Sequence, residues 1–147
     1  MIVLDTTVLV YSAGSDHPLR APCRSLIEAI GDGGIAATTT VEVIQEFAHV
    51  RARRRDRADA RTLASAFVDL LSPLTLVDAD DLLRGMDLFV ADDQLGAFDA
   101  VLAAAVIERD HLTALVSADR AFGSIPGLVH VDPNDPDALA TVLGSRR

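Results

Sequence analysis

Four acidic residues stand where a carboxylate is costly unless something compensates it: Asp5 directly after the apolar run Ile2-Val3-Leu4, Glu46 between Ile44 and Phe47, Asp99 ahead of an alanine-rich run, and Asp119 just past Thr113 to Val116. A carboxylate beside buried apolar chain needs a cation or several hydrogen-bond donors. Carboxylates that converge raise one another's pKa unless a cation shares the site. A donor set of oxygens, free of sulfur and histidine, suits Mg²⁺ or Mn²⁺. Ions held this way lower the pKa of a water and stabilise charge on a phosphodiester, so the chemistry implied is hydrolysis of nucleic acid.

The elements that must position these acids can be read from the chain. Ile2 to Leu4 shows no polar alternation, as expected of a strand covered on both faces in a parallel sheet, and the apolar run continues past Asp5 to Leu9. Ala21 to Ile30 has helical spacing and stops at Gly31. Ile35 to Thr38 is a second strand, and Thr39-Thr40-Val41-Glu42 fits a capping box opening a helix through Val50. A helix from Ala58 to Leu71 ends at Ser72-Pro73, Leu74 to Val77 reads as a third strand, and Ala79 to Val90 as a further helix. Asp99 to Arg109 is the strongest helix, apolar on most sides and suited to a layer against the sheet. Thr113 to Val116 and Leu128 to Val131 are a fourth and fifth strand, and Asp135 to Leu143 a last amphipathic helix. Strands alternating with helices predict an α/β fold with a mostly parallel, doubly wound sheet of about five strands. In such a sheet Asp5 and Asp119 emerge at the same edge, where open α/β sheets hold ligands. The positive end of a helix favours the carboxylate of Asp99 there.

With 147 residues, half of them apolar, the chain predicts one domain over residues 1–147, with 143–147 as a frayed tail. No apolar run is long enough to cross a bilayer, and the start lacks the layout of a secretory signal because Asp5 breaks its apolar stretch. A cytoplasmic location and no membrane partner are expected. The single cysteine, Cys23, reads as a helix-face residue without a redox role. The net charge of -9 opposes nucleic-acid binding by bulk electrostatics. Six arginines nevertheless crowd between Arg51 and Arg61, and all 13 basic residues are Arg, a side chain suited to planar contacts with phosphate or carboxylate.

The order IVLDTTVLV, TTTVEVIQEF, FDAVLAAAV, LVSADRAF over residues 2 to 122 resembles the PIN-domain ribonucleases, and among them the VapC-type toxins of bacterial toxin-antitoxin pairs. The resemblance implies that Asp5, Glu46, Asp99 and Asp119 are the acidic quartet of a Mg²⁺- or Mn²⁺-dependent endoribonuclease, with Ser117 and Thr6 as supporting hydroxyls. Glu42 competes with Glu46 for the second acid; the position six residues after Thr40, followed by a bulky apolar residue, matches the family at Glu46. Where the family often has Asn two residues after the first Asp, this chain has Thr7, which weakens an outer role there. The resemblance also implies a small three-layer α/β/α fold, an RNA substrate, a cognate antitoxin and a homodimer.

Plainer readings compete residue by residue. Asp5, Asp99 and Asp119 could each cap a turn or helix, and Glu46 could pair with Arg53 or Arg54 at the surface. Joint placement at one sheet edge favours chemistry. Arg53, Arg54 and Arg55 are either a solvated helix face or an RNA contact. His17, His49, His111 and His130 are scattered, and none reads as a metal ligand. Asp80, Asp81, Asp92 and Asp93 read as solvated helix ends. The competing class of function is a binding module of the same fold that has lost catalysis. A phosphotransfer enzyme with a strand-end Asp would need a Lys for its phosphate, and this chain has none.

Overall fold

The computed structural model describes residues 1–144. Among these residues, four strands form one wholly parallel sheet: β1 (Ile2–Leu4), β2 (Ala37–Thr38), β3 (Ala114–Val116) and β4 (His130–Val131), in the order β2-β1-β3-β4. Seven α-helices surround it: α1 (Thr6–Ala13), α2 (Arg20–Gly31), α3 (Val41–Arg54), α4 (Arg57–Leu71), α5 (Ala79–Ala91), α6 (Ala97–Ile107) and α7 (Pro136–Gly144). A short 3-10 turn, Arg120–Ser124, follows β3. The expected three layers are present. The alanine-rich α6 is buried along most of its length and packs on β3, while α1 packs on α2 and α3.

β1 and β3 are apolar and fully covered, with Val3, Leu4, Leu115 and Val116 without exposed surface. This is the condition of a central parallel strand, whose two faces both meet helices. The register aligns Leu4 with Val116, and the amide of Asp5 continues the ladder by donating to the Val116 carbonyl at 3.0 Å. Asp5 therefore leaves β1 level with the end of β3.

The structure adds one element to the sequence reading and departs from it in three further places. The apolar run after Asp5, to which the sequence reading gave no element, is helix α1, although it is rich in β-branched residues. Asp5 stops the strand by capping that helix, and burial of Val8 and Leu9 outweighs local preference. Leu74 to Val77 forms no strand; Thr75 makes an isolated bridge with Thr40, and its hydroxyl lies 3.4 Å from that of Thr38 at the end of β2. The Arg109 guanidinium takes the Leu76 carbonyl in this segment at 2.8 Å. Asp81, expected in solvent, is buried at 2% exposure and is gripped by the same guanidinium, with contacts of 2.9 and 2.8 Å. This buried pair ties α5 to the end of α6. The last helix runs through Gly144, so of the expected tail over 143–147 the first two residues are helical and residues 145–147 lie outside the described residues.

α5 and α6 approach closely at Gly85, where an added Cβ would stand 2.6 Å from Val101 Cα and 2.9 Å from Val101 N. The glycine in the middle of α5 is therefore a packing requirement, which holds α6, and with it Asp99, against the rest of the molecule.

Candidate functional site

Each of the four acids reaches the carboxyl edge of the sheet by a different local device. Asp5 follows β1 and caps α1; its Oδ2 accepts from the Thr7 amide at 3.4 Å and the Thr7 hydroxyl at 2.9 Å. Glu46 lies on α3, whose start is set by Thr40: that hydroxyl accepts from the Val43 amide at 3.2 Å. The cap is thus Thr40 and not Thr39, and Glu42 has no part in a capping box. Asp99 is the third residue of α6, and Gly96 occupies the cap position, so Asp99 has no capping duty. Asp119 follows β3 and caps the 3-10 turn by accepting from the Ala121 amide at 2.9 Å.

All four line one pocket of about 310 Å³, together with Thr6, Thr7, Tyr11 and Arg54. Glu42 lines a different pocket beside Val77, Met86 and Phe98, so the geometry separates the two candidates for the second acid. Among the described residues none of the four makes an ion pair, although Arg54 lines the same pocket. The consequence shows at Asp99, whose carboxyl is pushed up to about 7, first by burial and then by the charges of Asp5, Asp119 and Glu46. Four acids that influence one another in this way share one electrostatic environment.

Hydroxyls orient the acids. The buried Ser117 donates to Asp5 Oδ2 at 2.7 Å and accepts from the Asp119 amide at 3.0 Å, linking the ends of β1 and β3. Thr6 donates to Glu46 Oε2 and so ties α1 to α3. Thr7 has a larger part than the sequence indicated. Besides donating to Asp5, its hydroxyl accepts from the Ala118 amide at 3.0 Å, bracing the first acid against the loop that carries the fourth. A hydroxyl two residues after the acid was the available signal.

The donor chemistry fits a hard divalent cation: carboxylates from four chain segments, no sulfur or imidazole, and, among the described residues, no ion pair to any of them. Among the described residues no group of three or more His, Cys, Asp or Glu is drawn into a ready-made ion cage. Mutual repulsion opposes such a cage, and Mg²⁺ does not require one, since it takes one or two carboxylates and keeps several waters.

The three arginines do not form one surface. Arg54 lines the acid pocket and, with Arg55, an adjoining groove of about 380 Å³. Arg53 lines a separate groove between α3 and α4 with His49, Arg57 and Arg61. Arg51 is bound to Asp59 and donates to the Ala13 carbonyl at 3.0 Å.

Comparison with known proteins agrees with this architecture. The sequence profile of the PIN domain matches residues 2–128. Ribonuclease VapC7 of Mycobacterium tuberculosis is 53% identical over 148 aligned positions, covering 99% of this chain and 100% of the relative. Ribonuclease VapC13 of the same organism is 28% identical, covering 87% of this chain and 97% of the relative. Among solved structures, VapBC2 from Rickettsia felis, bound to a DNA fragment from its promoter, superposes with a TM-score of 0.68 at 17% identity, covering 90% of this chain and 98% of that one. Mycobacterium tuberculosis VapC20, described as a Sarcin-Ricin loop cleaving toxin, superposes with a TM-score of 0.67 at 14% identity, covering 87% and 98%.

Proposed function

Because this chain belongs to the PIN-domain family, and within it to the VapC type, we propose that it is a metal-dependent endoribonuclease acting as the toxin of a toxin-antitoxin pair. One observation carries the reading: four carboxylates from separate elements line a single pocket at the carboxyl edge of a parallel sheet, none of them in an ion pair among the described residues. Asp5, Glu46, Asp99 and Asp119 would hold Mg²⁺ or Mn²⁺. A bound ion would supply a Lewis acid to the phosphodiester and lower the pKa of an attacking water.

The remaining work belongs to the chain. Ser117 and Thr7 fix the direction of the Asp5 carboxylate, and Thr6 fixes that of Glu46, so the acidic groups are oriented before substrate arrives. Asp99, with its carboxyl pushed up to about 7, keeps a proton in part of the ion-free molecules at neutral pH, and positive charge entering the pocket would favour its release.

The test uses purified protein, RNA and added Mg²⁺ or Mn²⁺. Asp5→Asn and Asp99→Asn are expected to abolish cleavage while far-UV circular dichroism stays unchanged. Cleavage by either variant at the wild-type rate would refute the site, and failure of the wild type to cut any RNA would favour the binding module.

Three partners complete the proposal: RNA as substrate, a cognate antitoxin protein, and a second copy of the chain. α5 exposes Leu83 at 65%, Phe89 at 43% and Val90 at 84%, with Leu76 exposed at 76% in the segment before it. Exposed apolar side chains concentrated on one helix suit a protein contact, and the homodimer is assigned to α5. No described helix is long and apolar enough to cross a membrane; the proposed place of action is the cytoplasm, with the RNA.

A further inference from the structure

We infer that the groove between α1 and α3 leads an unpaired stretch of RNA into the acid pocket, with Arg54 and Arg55 on its phosphates and the Tyr11–His17 ring stack against a base. The inference rests on the nuclease reading above and assigns the substrate path of that site.

Contiguity is the first support. Val10, Val50 and Arg54 line both the acid pocket and the neighbouring groove, so the two are one depression with an acidic end and a basic end. A chain with net charge -9 repels a polyanion overall. The scissile phosphate would meet a divalent ion, but the phosphates beside it need cations of their own. Arg54 and Arg55 are exposed, and neither has an ion pair or hydrogen-bonded side-chain partner among the described residues. Arg51 borders the same groove, but Asp59 and the Ala13 carbonyl occupy its guanidinium. Its charge braces the end of α3 against the end of α1 and leaves the groove wall fixed.

The aromatic pair supplies the second support. Tyr11 lines the acid pocket. His17 stacks on it with ring centroids 4.5 Å apart and 27° between planes, and His17 Nδ1 accepts from the Leu19 amide at 3.1 Å. The exposed imidazole is thus held from two sides before any ligand arrives. Rings placed beside a phosphate track stack on bases that are not already stacked and paired in a duplex, which selects single-stranded or looped RNA. An acidic peptide would use the arginines and gain nothing from the rings.

The experiment measures binding of a short labelled single-stranded RNA to full-length protein carrying Asp99→Asn, so that nothing is cut. Adding Arg54→Ala is expected to weaken binding about five- to tenfold and to flatten the dependence of log K on log salt by about 0.7. Arg55→Ala should act in the same direction. Arg53→Ala, which alters the other groove, should change affinity less than twofold. His17→Ala should weaken the single strand and leave the already weak binding of the same sequence as a duplex unchanged, whereas Tyr11→Phe should preserve it. Equal losses from Arg53→Ala and Arg54→Ala would mean diffuse attraction and overturn the path. Tighter binding of duplex than of single strand would do the same. Cleavage assays separate the two levels of argument. If the wild type cuts RNA with metal and Arg54→Ala cuts with unchanged KM, the path fails and the nuclease reading stands; if the wild type does not cut at all, the nuclease reading fails first.

Discussion

Replacing Asp99 by Asn is expected to destroy cleavage and at the same time make the metal-free protein more stable. The Asp99 carboxyl is raised from an ordinary 3.8 to about 7 by burial and by the charges of Asp5, Asp119 and Glu46. A carboxyl whose folded-state pKa is raised holds its proton more tightly when folded, so ionisation works against the fold. The penalty is absent below the unfolded value, grows as pH rises from 3.8 toward 7, and is constant above that. At about 1.4 kcal/mol per pH unit the full effect would be roughly 4 kcal/mol. Asp99 is partly open to solvent, and its neighbours share the titration, so about 2 kcal/mol is the realistic gain. For a chain of this size that corresponds to a rise in Tm of about 4 to 8 °C. Urea unfolding of wild type and Asp99→Asn, with chelator present and pH stepped from 4 to 8.5, reads the difference directly. The gain should be near zero at the acid end and level off above neutrality. Added Mn²⁺ should close the gap by stabilising the wild type more than the variant. A difference independent of pH, or a variant that unfolds earlier at pH 8, would refute the claim that four unpaired charges share this pocket.

Two other substitutions probe the geometry. Thr7→Val removes the hydroxyl that donates to Asp5 and accepts from the Ala118 amide; kcat should fall by about tenfold with KM little changed, Thr7→Ser should restore it, and full activity in Thr7→Val would show that Asp5 needs no such brace. Arg109 holds the Asp81 carboxyl below its ordinary range by hydrogen bonding; the resulting stability is present above the unfolded pKa and lost as pH falls below it. Asp81→Asn should therefore cost about 2 to 4 kcal/mol at pH 7 and measurably less at pH 3, read by urea unfolding, and an equal cost at both would exclude the pair as its cause.

Much of this architecture is settled by chemistry within a few residues of each position. Ile2 to Leu4 and Ala114 to Val116 are strands because their apolar runs suit burial on both faces, and α6 is a buried helix because its alanines and aliphatics leave no polar side. Caps such as Thr40 and Asp78 work over three residues, which is why helix starts were legible to within a residue or two. The motif order also placed all four acids in the lining of one pocket, by resemblance and by the rule that parallel strands end on one edge.

What the tertiary structure decided are the contacts between distant positions. The run from Thr6 to Ala13 has no clear element in the sequence and is helical because Asp5 turns the chain and the new helix buries apolar side chains against α2 and α3. Leu74 to Val77 looks like a strand and is not: its pairing with the sheet edge stops at the bridge between Thr40 and Thr75, and Arg109, more than thirty positions away, takes the Leu76 carbonyl. Glu46 and Glu42 lie one turn apart on the same helix, and only the packing of α1 beside α3 brings the first to the Thr6 hydroxyl and leaves the second in another pocket. The same packing separates Arg54 from its neighbour Arg53. A side chain's direction in the folded protein depends on which surfaces compete to bury its helix, and that competition involves the whole molecule.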